Sequence, residues 1–214
     1  MPAIDQCAPS EFGAIRERRL MDEFDRAYGV ENRDLLSART AVDLCRIGRA
    51  RILGDGVYRI MDGAAARLYG EYLGIMFPDL RGSLDPFASD WLGRIMALRS
   101  DLGNVVIAQP ARAEVLDLPA DLPTFHAEEI VARADAALAL VFYREWRTAT
   151  GRPAPEANEC VSHRLPVFLG GADEVGNLDL FEMRVYWASM ARIVARMREM
   201  DADGRIVPIR LRRR

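Results

Sequence analysis

Lysine is absent from this sequence: all 29 basic residues are arginine. With alanine abundant, the bias reads as a GC-rich coding preference before any mechanism. Histidine is scarce too, with only His126 and His163. Neither stands in an H-E-x-x-H spacing or beside a cysteine pair, so no metal site is expected. The three cysteines, Cys7, Cys45 and Cys160, are odd in number and far apart, which excludes a disulfide framework and indicates reduced thiols. No stretch approaches the ~18 apolar residues of a membrane span, and charges run through the N-terminal segment where a secretory signal would be apolar. A cytoplasmic location is therefore the expectation. No internal repeat, low-complexity run, G-x-G-x-x-G or G-K-[ST] occurs, and no pair of carboxylates stands out as a glycosidase-like acid and nucleophile. No cofactor is expected.

What is present is core material. Half of the 214 residues are apolar, enough for one sizeable domain or two small ones. A net charge of −3 and a pI near 5.6 argue against a protein that coats nucleic acid. The charge is uneven. Between Met61 and Met190 stand 19 acids against 11 arginines, while the last nineteen residues hold seven arginines against three acids. Arg210, Arg212, Arg213 and Arg214 read as a solvated end, with phosphate or anionic lipid as the other use of such a run.

Helical texture opens the chain from Ser10 to Gly29, where Phe12, Ile15, Leu20 and Phe24 recur among charges, and a second helical stretch covers Leu35 to Cys45. Gly54, Asp55 and Gly56, set between short β-branched and aromatic runs, predict a hairpin. Helical spacing then returns through Ala65, Leu68, Tyr72 and Ile75, and Pro78 stops it. From Ser89 to Leu118 short runs separated by turn residues predict an antiparallel meander, because parallel pairing needs a longer crossover. From Thr124, taken as the N-cap, one helix is expected to run to Gly151 with Ile130, Val131, Ala134, Leu138, Val141, Phe142 and Trp146 on its apolar stripe. Met183, Tyr186, Trp187, Met190, Ile193, Val194 and Met197 mark the strongest helical period, a face that must be buried. The expected fold is α+β: a mixed or mainly antiparallel sheet with packed helices and a helical N-terminal segment. A boundary is placed near residue 84, with 1–84 and 85–214 as regions that may equally form one continuous domain.

Candidate sites are few. His126, beside Glu128 and Glu129 at the expected helix start, reads as a capped or solvent-facing imidazole. Cys160 and His163 are three apart, but local spacing does not place a base against a thiol. The run LPVFLGGADEVGN poses the clearest choice. Gly170 and Gly171 beside Asp173 and Glu174 form either a tight corner between a strand and a helix or a ligand grip, and the corner is favoured because glycine pairs relieve Cβ clashes at positive φ. Asp173 and Asn177 suit bonds to the loop's own amides. No catalytic residue is assigned.

Three stretches carry a resemblance: DWLGR at Asp90, Trp91, Gly93 and Arg94, the segment LPTFHAEEIVARADAALALVFYREW from Leu122, and LPVFLGGADEVGNLDLFEMRVYW from Leu165. They resemble a GAD-related bacterial family that includes the C-terminal domain of immunity proteins against type VI secreted DNase toxins. Pro166, Phe168, Gly170, Gly171, Asp173, Asn177, Met183, Tyr186 and Trp187 are among the matches. Val167, Asp179, Phe181, Glu182 and Arg184 depart from the pattern, and before residue 85 the likeness is looser. The resemblance implies an α+β domain without catalysis, whose partner is a cognate toxin protein bound in the cytoplasm, with no direct nucleic-acid contact. The matched residues themselves read as scaffold. The expected contact surface is the acidic edge at Asp117, Asp121, Glu128 and Glu129, since complementary charge favours a basic nuclease. The alternative is a small-molecule or nucleotide sensor built on the Gly170–Asp173 loop.

Overall fold

The computed structural model describes residues 35–201 apart from Arg49, together with Arg26 and Arg212–Arg213. The expected helix from Ser10 to Gly29 falls almost wholly outside the described residues, as do Cys7, Arg210 and Arg214. Glycine and aspartate at 54–56 set the first hairpin: all three adopt positive φ and fold β1 (Ile52–Leu53) onto β2 (Tyr58–Ile60). β3 (Leu84–Asp90), β4 (Ile95–Arg99), β5 (Val105–Gln109) and β6 (Glu114–Asp117) follow as an antiparallel meander, and each strand pairs with its neighbour in sequence. The α+β expectation is met. Residues 84 and 85 lie within β3, and β2–β3 pairing joins the chain on either side.

β3 is the strand that the sequence pattern concealed. Its run LDPFASD carries Pro86 and two acids, and the register shifts between Pro86 and Ala88, the bulge that lets proline sit in a sheet. Val105 to Ala108 are all buried, so both faces of the sheet are covered there.

Among the described residues, four longer helices complete the architecture. The 3-10 turn Leu35–Ser37 precedes α1 (Ala41–Gly48). α2 (Gly63–Met76) begins at Asp62, whose carboxylate accepts from Ala64 N at 2.9 Å and Ala65 N at 2.8 Å, and it stops before Pro78. Both helices pack on β3. The helix expected from Thr124 is broken instead. Its cap is Asp121, which accepts from Thr124 N at 2.9 Å; a π turn follows at Phe125–Glu129, then an interruption at Arg133 and a left-handed Ala139 before α3 (Leu140–Thr150). Asp135 holds that break by accepting from Val141 N at 2.8 Å. Here apolar periodicity survived while the backbone changed direction, because a local cap offered the amides another partner.

A two-stranded ribbon, β7 (Glu159–His163) with β8 (Leu178–Glu182), leads directly into α4 (Met183–Asp201). Its cap is Glu182, which accepts from Val185 N at 2.7 Å. The predicted face is buried: Met183, Tyr186, Trp187, Met190 and Val194 belong to the core, with Ile193 packed against it. Trp187 meets Tyr69 of α2 edge-on at 6.3 Å. Each large apolar side chain so covered contributes about 1.5–3 kcal/mol.

Gly93 gives the fold a direct test. It has φ +71°, and a Cβ there would lie 2.9 Å from Cys160 Sγ. Gly93→Ala is expected to lower unfolding free energy by roughly 2–4 kcal/mol, from left-handed strain plus overpacking. Gly82 has φ +79° with nothing near its missing Cβ, so Gly82→Ala loses only the strain, about 1–2 kcal/mol. Urea unfolding of both variants checks this; equal losses would contradict the contact.

Candidate functional site

The double-glycine bend is a corner, though not the expected one. It joins β7 to β8, strand to strand, and the apolar run before it is a 3-10 turn at Val167–Leu169. Gly170 takes φ +91°, and a Cβ on Gly171 would collide with the Leu165 carbonyl. Asn177 holds the bend closed. Its side chain accepts from Leu165 N at 3.1 Å and donates to Leu165 O and Ala172 O, each at 2.8 Å. The Gly170 and Gly171 amides donate to Val167 O and Pro166 O. Polar groups that a ligand would need are thus engaged within the loop.

Asp173 turns away from those amides. Its carboxylate receives His163 Nε2 at 2.9 Å and pairs with Arg112, so the bend is anchored to the β5–β6 turn. His163 is buried, and that burial pushes its imidazole below its ordinary range against the pull of Asp173. A cleft of only about 120 Å³ lies beside Arg112, His163 and Asp173.

Beneath the bend lies the DWLGR turn. Asp90 is fully buried. Its Oδ1 accepts from Leu92 N at 3.0 Å and Arg94 N at 2.9 Å, while Oδ2 takes Arg94 Nε at 2.6 Å and Nη2 at 2.5 Å. Desolvation raises the Asp90 carboxyl; Arg94 and the two amides oppose it. Arg94 also donates to Ala137 O at 2.9 Å, Trp91 Nε1 to Leu138 O at 2.9 Å, and Trp187 Nε1 to Gly93 O at 2.7 Å. Four residues therefore gather the meander, the broken helix and α4. The sequence marks Arg94 as part of the DWLGR stretch but does not show that it is the buried partner of Asp90.

Cys160 is fully buried against Gly93, and burial pushes its thiol up to about 12. Tyr186 lies in the same interior facing Ser162, and burial raises its phenol.

His126 overturns the expectation of a capped or solvent-facing ring. It is 1% exposed within the π turn. Nδ1 lies 2.8 Å from Leu122 O and Nε2 lies 2.8 Å from the Tyr58 hydroxyl. A carbonyl can only accept, so Nδ1 carries the proton and Nε2 accepts from Tyr58. The period of the helix placed this residue, but the turn that buries it came from tertiary packing against Tyr58 and Phe87.

Asp117, Asp121 and Glu129 have local roles. Asp117 accepts from Asn104 Nδ2 at 3.3 Å and lies 3.6 Å from Arg99. Asp121 is the exposed cap. Glu129, its side chain 12% exposed, pairs with Arg133 at 2.7 Å, and Glu128 is half-buried. Among the described residues no cluster of His, Cys, Asp or Glu could hold a metal ion, and no helix is long and apolar enough to cross a membrane.

An open cleft of about 790 Å³ lies between the 54–56 hairpin and the broken helix. Val57, Ile130, Val131 and Leu140 provide its apolar lining, and Asp55, Tyr143, Arg144 and Arg147 its polar part. Arg147 pairs with Asp55 at 2.8 Å and lies over the Tyr143 ring, whose hydroxyl donates to Asp55 O at 2.5 Å. Residues 88 or more apart in sequence meet here, beyond the reach of any local motif.

The chain matches no protein-family model and no curated protein. Its fold is similar to the crystal structure of Atu4351 from Agrobacterium tumefaciens, with a TM-score of 0.52 and 12% identity, covering 80% of this chain and 88% of that one. At that identity the likeness concerns the fold alone.

His126 predicts a pH response. Its folded pKa is lowered to about 4, so its contribution is whole above the unfolded value of about 6.5 and is lost as pH falls between the two. His163 adds in the same sense. His126 alone should make stability decline with a slope approaching ~1.4 kcal/mol per pH unit below pH ~6. Urea midpoints from pH 7 to 5 should fall less steeply in His126→Gln; an unchanged slope would contradict the buried neutral ring.

Proposed function

We propose that this chain is an immunity protein: a non-catalytic cytoplasmic protein that binds a cognate toxin, a nuclease delivered by type VI secretion, and neutralises it. One observation carries the reading. Of the residues in the matched stretches, Asp90, Trp91, Gly93, Tyr186 and Trp187 are buried in interior bonds or packing, and the half-buried Asn177 ties the glycine bend to itself, so these positions act as scaffold and leave recognition to the surface. The open cleft supports this division. Its aromatic and arginine lining around an apolar floor is the composition enriched where proteins meet. Glu128 and Glu129 directly precede two residues of that floor, Ile130 and Val131, so the acidic edge runs toward it, and negative charge there suits a basic nuclease.

The sensor reading finds less support. A cavity near 120 Å³ beside Asp173 is well below the ~300 Å³ at which small-molecule sites begin.

Co-expression with the toxin encoded beside this gene should restore growth and yield a complex on co-purification. Val131→Asp and Arg144→Glu should each weaken that complex at least tenfold, roughly the 1.4 kcal/mol or more of an interface anchor, while Asp173→Ala leaves it unchanged. Absence of both rescue and complex would remove the proposal. A thermal shift by a metabolite, lost in Asp173→Ala, would favour the sensor.

A further inference from the structure

Between the glycine bend and the DWLGR turn, the cleft of about 120 Å³ is walled by polar groups that the described residues do not use. His163, 5% exposed, directs Nε2 at Asp173. A carboxylate can only accept, so Nε2 carries the proton and Nδ1 is an acceptor. That Nδ1 is buried and has no hydrogen-bond partner among the described residues. Arg94, 8% exposed, engages Asp90 and Ala137 through Nε and Nη2, which leaves Nη1 unbonded. The amide of the half-buried Gln109 on the same wall likewise makes no bond within the described residues. Arg112 spends Nη2 on Asp173 and keeps its other donors. Buried polar groups without a partner are costly, and folded proteins keep few of them.

These groups select their occupant. Two arginines against one aspartate give the lining an excess of positive charge, which calls for an anion. Burial pushes the His163 imidazole below its ordinary range, so the ring is neutral at pH 7.5 and its Nδ1 needs a donor. The anion must therefore keep a proton at that pH. Sulfate and simple carboxylates meet the arginines but bring none, and a phosphate ester has lost its second proton above pH ~6. The four side chains come from four segments, the β3–β4 turn, β5, the β5–β6 turn and β7, so a tetrahedral ion offers them more directions than a planar one. A cleft of this volume has room for several waters, too little for a metabolite but enough for one such ion.

We propose that this cleft binds free hydrogen phosphate, with Arg94, Arg112 and Gln109 donating to its oxygens and its hydroxyl donating to His163 Nδ1. The ion would tie the β7–β8 ribbon to the meander. This goes beyond the toxin-binding reading and stands without it, because the site is separate from the open cleft. It differs from the sensor alternative too, since the ligand is a single inorganic ion.

The test titrates the untagged full chain, labelled with nitrogen-15 at histidine, at pH 7.5 and constant ionic strength. Phosphate should shift the His163 imidazole resonances saturably and leave those of His126 in place, since both His126 nitrogens are already bonded. Sulfate and methyl phosphate should each bind at least tenfold more weakly than phosphate, and bicarbonate, which has a proton but is planar, more weakly as well. Arg112→Gln and Gln109→Leu should each weaken phosphate binding at least threefold. The anion selectivity of the unaltered chain keeps the test independent of whether the variants fold. No saturable response at His163, sulfate or methyl phosphate equal to phosphate, bicarbonate tighter than phosphate, or full phosphate affinity in folded Arg112→Gln would overturn the proposal.

Discussion

A carboxylate and a guanidinium buried inside one five-residue turn set the terms for the rest of this structure. Taking two charges out of water costs several kcal/mol each unless geometry and further hydrogen bonds offset it. At Asp90 and Arg94 they do: the carboxylate takes two backbone amides as well as the guanidinium, and Arg94 Nη2 also donates to Ala137 O. The turn can exist only where the broken helix brings that carbonyl, and only if Gly93 lacks a Cβ where Cys160 approaches. Meander, ribbon, broken helix and α4 are therefore fixed relative to one another by the same few atoms.

This arrangement separates what holds the fold from what meets the outside. Trp91 and Trp187 each direct an indole N–H inward, one to Leu138 and one to Gly93, and Asn177 spends its amide on the glycine bend. The cleft beside Tyr143 uses none of these hydrogen bonds and meets the interior only where the Tyr143 ring packs on Trp91 at 5.0 Å. Such a division suits a protein whose partner varies, because surface residues can change without disturbing a buried charge pair. Of the acidic residues expected to meet a partner, Asp121 caps a helix and Asp117 and Glu129 pair with arginine, so the charge these three present is partly offset locally.

Much of the fold was legible in the sequence because its signals were local. The 54–56 hairpin needs positive φ, α2 ends where proline forbids continuation, and the α4 stripe repeats at helical spacing; each follows from backbone sterics or from burial of one face. The misses share another cause. β3 carries a proline that only a bulge accommodates, and the break at Ala139 depends on Asp135 reaching Val141. His126 is buried by Tyr58, which lies 68 residues away. At the candidate site, the role of Asn177 was visible as a loop-bonding residue, and the scaffold character of the motif followed from it. Asp173, in contrast, was read as serving its own loop and instead reaches His163 and Arg112. The cleft had no signature, since its walls come from separate hairpin and helix segments that only the folded chain brings together.

The most direct test of this account is a double-mutant cycle at the hub, with Asp90→Asn, Arg94→Gln and both together measured by urea unfolding at pH 7. Each single change leaves a buried partner uncompensated and should lower stability by about 3–5 kcal/mol, while the double variant should lose clearly less than the sum, giving a coupling of about 2 kcal/mol or more, toward the upper end for interacting pairs. Single losses below about 1 kcal/mol, or losses that simply add, would contradict the claim that this buried pair organises the fold.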